Sequence, residues 1–183
     1  MTDRFVEVIL KAIEPLKGRN DLRVETDDLS TLVIGAPEPL FAVVEDCFVK
    51  AARETDHVVL SAIFSRGCPG EPDDPICHPM PPERAAVDPV VDTATVEPCG
   101  IRVAAQFALY PLGIVEYMPI IYREIQATKE AKVFNRGKHF CTRLDGNAHQ
   151  VFAVMRAAFD RAARDAGHVV ITATVSKGSP TTV

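Results

Sequence analysis

Apolar residues recur at helical spacing in four stretches of the chain and at every second position in five others, which predicts helices interleaved with strands. Phe5, Val8, Ile9, Ala12 and Leu16 share one helical stripe, as do Tyr117, Ile120, Ile121 and Ile125. Phe41, Val44, Phe48 and Ala51 form another, echoed by Phe152, Met155, Phe159 and Ala162. Asn147 predicts an N-cap for the last of these, with Gln150 three residues on, and Gly167 predicts its C-terminal cap. Segments 29–35, 57–65, 101–110, 138–145 and 168–176 alternate and are rich in β-branched residues, so they predict strands. Leu22–Thr26 and Lys132–Asn135 predict two shorter ones.

The pattern repeats. Sliding the chain by 111 positions brings 16 identities into line over residues 29–69 without a gap. Phe41-Ala42-Val43 meets Phe152-Ala153-Val154, Ala51-Ala52-Arg53 meets Ala162-Ala163-Arg164, and His57-Val58-Val59 meets His168-Val169-Val170. Ala62, Ser65, Gly67 and Pro69 meet Ala173, Ser176, Gly178 and Pro180. Upstream, a one-residue shift lays Phe5, Val8 and Ile9 over Tyr117, Ile120 and Ile121. Residues 69–98 hold eight of the 14 prolines and read as an irregular connector. The expected organisation is a first repeat at 1–69, a Pro-rich connector at 70–99 and a second repeat at 100–183.

The second repeat reads β-α-β-β-α-β, the ferredoxin-like order, with helices covering one face of an antiparallel sheet. The expected fold class is therefore α+β, a tandem duplication of this unit. Met1 falls opposite Gly113, so nothing in the first repeat matches the strand at 101–110. That strand lies centrally, and without it two neighbours lose a backbone partner. Three repairs are expected to compete: a start lying further upstream, which is favoured, a strand from a partner chain, or the segment Val90–Val96 folding in.

Alternation then sorts the strand residues into faces. In 168–176, Val169, Ile171, Ala173 and Val175 point to the helices, and Val170, Thr172, Thr174 and Ser176 point away. In 138–145, Phe140, Thr142 and Leu144 point to the helices, and His139, Cys141, Arg143 and Asp145 point away, joined by Gln106, Ala108 and Tyr110. The first repeat adds Asp28, Ser30, Ser61 and Ser65 among Leu32, Ile34, Val59 and Ile63. The repeat-matched Thr31 and Thr142 are predicted to lie under the helices, either bonding a backbone carbonyl or lining a pocket there. A face of apolar walls with hydroxyls, an amide and a carboxylate suits a small, polar, partly aromatic ligand; on the residues alone, a face used only for dimer contact is the reading placed ahead of it.

Composition narrows the classes. A net charge of −5 without a basic patch argues against nucleic acid. No apolar run has the length of a membrane helix, and the amphipathic start is unlike a signal peptide. Five cysteines without framework spacing predict reduced thiols in a cytoplasm. Cys68, Cys77 and His78 lack metal-site spacing, and His57 and His168 read as structural residues beside helix C-termini. Cys47 and Cys141 read as inert thiols. No phosphate loop, catalytic triad or paired-carboxylate motif is present, so neither a cofactor nor catalysis is expected.

Several motifs in order carry a family resemblance: Gln106-Phe107-Ala108-Leu109-Tyr110-Pro111-Leu112, Tyr117-Met118, the run Thr142–Phe152, Ser176-Lys177-Gly178-Ser179-Pro180 and, in the first half, Phe64–Glu71. Together they resemble the YkoF-like thiamin/hydroxymethylpyrimidine-binding family over nearly the whole chain. The resemblance implies two ferredoxin-like repeats, a homodimer, and a cytoplasmic, non-catalytic protein that binds the pyrimidine moiety of thiamin. It also implies a link to uptake or salvage of thiamin precursors, beside a transporter. That family carries a Phe-x-Leu-Tyr-Pro strand in both repeats; here only Phe107–Pro111 has it, which puts a first-repeat site in doubt. The candidate ligand residues are Gln106, Tyr110, His139, Thr142, Asp145, Thr172, Thr174 and Ser176, with Ser30, Thr31, Ser61 and Ser65 from the first repeat. The competing function is a dimerising or regulatory module that needs no ligand.

Overall fold

Residues 3–68 and 91–180 are described by a computed structural model. The first half runs α1 (Phe5–Ala12), a 3-10 turn (Glu14–Leu16), β1 (Arg23–Thr26), β2 (Thr31–Ile34), α2 (Pro37–Glu54) and β3 (Val58–Arg66). The second runs β4 (Arg102–Leu112), α3 (Met118–Glu130), β5 (Phe134–Lys138), β6 (Cys141–Asn147), α4 (Ala148–Ala162) and β7 (His168–Lys177). The fold is α+β with two antiparallel sheets, and the second half has the full ferredoxin-like order, its first strand β4 lying between β6 and β7.

The halves join through one seam. Strand β3 leaves β1 and β2 as a separate two-stranded hairpin and adds to the edge of β7, giving a five-stranded sheet in the order β3-β7-β4-β6-β5. The register pairs Ala62 with Ala173, two residues that the internal repeat also equates. An antiparallel pair centred on repeat-equivalent residues has a local two-fold axis through that centre. The helices above obey the same axis: Phe41 meets Phe159 at 5.5 Å, and Phe48 meets Phe152 at 5.8 Å. The duplication read from the sequence is thus expressed as pseudo-symmetry.

Helices α2 and α4 cover one face of this sheet. Phe152, Leu144, Met155, Ile171, Val169 and Val175 are fully buried between the layers. Asn147 caps α4 as predicted, its side chain accepting from the His149 N–H at 3.1 Å. Gln150 does not close the capping box; its amide donates to the Ala131 carbonyl at 3.0 Å and ties α4 to the end of α3. Gly167 is not among the left-handed residues, because α4 ends through Ala166 N–H to the Ala162 carbonyl at 3.0 Å.

Four other expectations are corrected. The predicted strand 138–145 is broken by a two-residue turn at His139 and Phe140, with Lys138 pairing Cys141. His139 takes a φ of 50°, a left-handed value histidine tolerates better than most residues. Phe140 therefore projects into solvent at 90% exposure, not under the helices. Thr31 is exposed at the tip of the β1–β2 hairpin, where its hydroxyl lies 3.0 Å from that of Thr26, because the hairpin is not covered by a helix as β6 is. Residues 91–96 form a turn, not a strand; Val90, like Cys77 and His78, lies outside the described residues.

On α3 the buried stripe differs from the predicted one. Ile120 is buried, but so are Glu124 and Thr128, while Tyr117 is 46% exposed. Glu124 is admitted because Arg161 of α4 donates to it at 2.6 and 2.9 Å and Arg123 at 2.9 Å. Thr128 satisfies itself on the Ile125 carbonyl at 2.7 Å.

Candidate functional site

The sheet face turned away from the helices brings most of the candidate residues together. Cross-strand register sets them in rows. Ser61, Thr174, Gln106 and Arg143 lie side by side across four strands. Above them run Val59, Ser176, Ala104 and Asp145, and below them Ile63, Thr172 and Ala108. Ser65, Val170 and Tyr110 form a fourth row. Burial follows the predicted parity in β7, where Val169, Ile171, Ala173 and Val175 are buried and their neighbours half-buried. Neighbouring strands lie about 4.8 Å apart, so a substituted six-membered ring covers about two of them.

The polar members are oriented by one another. Arg143 donates to Asp145 Oδ1 at 3.2 and 3.3 Å, and Asn135 donates to its other oxygen. The Cys141 thiol donates to Gln106 Oε1 at 3.8 Å, and the amide nitrogen of the exposed Gln106 side chain carries two N–H donors. Arg143, Asn135 and Cys141 were outside the predicted ligand set; their shared parity with Asp145 and Gln106 was the signal for the first and last of them. Ser65 Oγ lies 3.3 Å from His168 Nε2, and His57 Nδ1 lies 3.0 Å from the Lys177 carbonyl, so both matched histidines pin the ends of the β3–β7 seam.

Four candidates lie elsewhere. Thr142 is buried on the helix side, His139 sits in the β5–β6 turn, and Ser30 and Thr31 belong to the separate hairpin. Ser30 N–H is held there by Asp27 Oδ1 at 2.7 Å. Two surface depressions, of about 570 and 500 Å³, are both lined from the helix layer, the first by Ile114, Glu116, Pro119, Ile120, Arg123 and Asp165. The outer face itself is open: Ile63 is 74% exposed, Val59 51% and Tyr110 40%.

A sequence profile described as the YKOF-related Family matches residues 1–71 and 102–182. The chain belongs to that family. It is 31% identical, over 98% of its own length and 86% of the relative's, to a Bacillus subtilis (strain 168) protein bearing the name HMP/thiamine-binding protein YkoF. The two matched spans of this YKOF-related protein each contain one copy of the internal repeat. Among the described residues no helix is long and apolar enough to cross a membrane, and no cluster of three His, Cys, Asp or Glu side chains is placed to hold a metal.

One titratable group away from the outer face is strongly perturbed. Burial, with Asp46 beside it, pushes the Glu45 carboxyl up to about 8, and His149 Nε2 lies 3.8 Å from it. Because the folded value exceeds the ordinary one of 4.5, Glu45 supports folding fully below pH 4.5, and that support is lost as pH rises through 8. Such a shift converts to about 5 kcal/mol at most. With 22% of the side chain exposed, water screening reduces this to on the order of 2 kcal/mol. Glu45→Gln is expected to match the parent near pH 4.5 and to exceed it by that amount at pH 8.5, in urea titrations at both values. Equal stability at pH 8.5 would rule the shift out.

Proposed function

We propose that this YKOF-related protein binds thiamin, through its hydroxymethylpyrimidine moiety, on the outer face of the five-stranded sheet and does not catalyse a reaction on it. The observation that carries the reading is the row Ser61–Thr174–Gln106–Arg143, a line of hydrogen-bonding groups flanked by Val59, Ile63 and Ala108 on the face without helices. An aminopyrimidine presents ring-nitrogen acceptors and an exocyclic amine donor on a flat apolar ring. The Gln106 amide answers the ring nitrogens, the Thr174 and Ser61 hydroxyls serve either polarity, and the Asp145 carboxylate accepts from the amine. Tyr110 offers an aromatic wall. The relative's name, which refers to HMP and thiamine binding, supports the same ligand class.

Three finer points belong to this reading. The chain divides at 1–69, 70–99 and 100–183, and the site is composite, since β3 of the first repeat supplies Ser61 and Ser65 to a bed built mainly by the second. A homodimer covers the bed, which the exposed Ile63, Val59 and Tyr110 support. The protein works in the cytoplasm beside the uptake or salvage of thiamin precursors, a place suited to a carrier without chemistry of its own.

Calorimetry with hydroxymethylpyrimidine and with thiamin tests the site. Gln106→Ala is expected to weaken binding at least about tenfold, a loss of roughly 1.4 kcal/mol, the scale of one buried hydrogen bond. Thr142→Val, on the other side of the sheet, is expected to leave it unchanged. Equal affinity for the parent and Gln106→Ala would remove the outer face as the site.

A further inference from the structure

The outer face carries its charges at one end. Strands β3 and β7 contribute no Asp, Glu, Lys or Arg to it. At the β4–β6–β5 end, Arg102, Arg136, Lys138 and Arg143 are cationic and Asp145 alone is anionic, on a chain of net charge −5. Two arginines meet there. Arg136 of β5 is the cross-strand partner of Arg143, which extends the row Ser61–Thr174–Gln106–Arg143 onto the fifth strand. Directly opposed residues share a face, with Cβ atoms about 5 Å apart, and like charges so placed repel.

An irregularity in β5 creates this meeting. Phe134 pairs with the helix-facing Leu144, and the additional residue Asn135 brings Arg136, its neighbour in sequence, opposite Arg143. A bulge of this kind re-aims side chains, so that Asn135, which reaches Asp145, and Arg136 both serve the outer face. Lys138, opposite Cys141, is a third cation on that face. The repulsion is only partly offset. Asp145 takes two of the five N–H donors of Arg143 and leaves three. Arg136 and Lys138 are exposed, and among the described residues no carboxylate lies within ion-pair distance of either. Charge on an edge strand discourages further pairing, but that need does not place Arg143 on the inner strand β6 beside Arg136.

We propose that this end of the outer face is an anion subsite, so that the ligand taken best is hydroxymethylpyrimidine carrying a phosphate monoester on its hydroxymethyl oxygen. The inference rests on the reading that the pyrimidine lies over Gln106 and Thr174. The phosphorus of such an ester lies about one strand spacing, about 4.8 Å, from the ring centre. With the ring over Gln106, the phosphate falls over Arg143 and Arg136. Guanidinium forks match phosphate oxygens, and Lys138 adds a point charge. The dianion neutralises the opposed arginines, whereas the thiazolium cation of free thiamin is repelled by them.

Calorimetry on the full chain with hydroxymethylpyrimidine and with its phosphate ester tests the subsite. The ester is expected to bind at least about tenfold tighter than the alcohol, an advantage that shrinks as salt is raised. Arg136→Gln is expected to cut the advantage below about threefold, and Arg136→Lys, which retains the charge, to keep more of it. An ester no tighter than a bound alcohol would overturn the subsite alone. An advantage undiminished in Arg136→Gln would also overturn it. Binding of neither compound would overturn it together with the reading on which it rests.

Discussion

Gly178→Ala is expected to destabilise the protein by about 3 kcal/mol or more, with the damage centred where the two repeats join. Gly178 has a φ of 66°, and a methyl group on it would overlap the backbone carbonyl oxygen of Asp56. Backbone cannot swing aside as a long side chain can, so either the strand end or the loop after α2 must shift. Gly67, its repeat counterpart, has a φ of 75° and meets the Gly167 carbonyl in the same way. Asp56 and Gly167 are themselves repeat equivalents, so one contact is made twice across the pseudo-two-fold axis. Gly67→Ala is expected to behave alike. Gly18 and Gly100 are the internal comparison: both have positive φ, yet open space where a methyl would go. Alanine there should cost only about 1 kcal/mol, the strain of the left-handed backbone. Urea unfolding of the four variants separates the cases, and equal losses at all four positions would show that the close approach contributes nothing.

Arg161→Ala is expected to cost on the order of 3–5 kcal/mol. Glu124 is 1% exposed, and Arg161 supplies two of its three charged hydrogen bonds. Removing that partner leaves a carboxylate inside the helix layer with Arg123 alone, which also pairs with Asp165 at 2.7 Å. The cost comes from stranding the charge more than from the pair's own worth, so a second change should recover most of it. Arg161→Met with Glu124→Leu, which removes both charges and retains apolar bulk, is expected to lie within about 1.5 kcal/mol of the parent. A double variant as unstable as Arg161→Ala would mean that the ion pair, and not the avoidance of a stranded charge, stabilises this corner.

Much of this architecture was legible because it rests on local periodicity. The parity of β7 follows from its strict alternation, and the repeat follows from identities such as Phe41 with Phe152 and His57 with His168. The short strands β1 and β5 were visible within a few residues. What escaped depends on distant partners. Glu124 looks like a surface residue until Arg161, 37 positions away, neutralises it. Phe140 fits an alternating strand, but the turn at His139 turns it outward. The joining of β3 to β7 is a tertiary choice between two edges, and no local propensity encodes it. For the candidate site, alternation placed Gln106, Thr172, Thr174, Ser176, Ser61, Ser65, Asp145 and Tyr110 on one face. It could not tell that Ser30 and Thr31 belong to a hairpin outside that sheet.

The central claim is that a pyrimidine lies against strand surfaces free of helices, at the place where the repeats meet. Backbone and side-chain amide shifts recorded during a hydroxymethylpyrimidine titration test it most directly. The predicted result is saturable change at Ser61, Gln106 and Thr174, including the Gln106 side-chain NH₂. Changes confined to the depression around Ile114, Glu116 and Arg123, with those three residues silent, would contradict it.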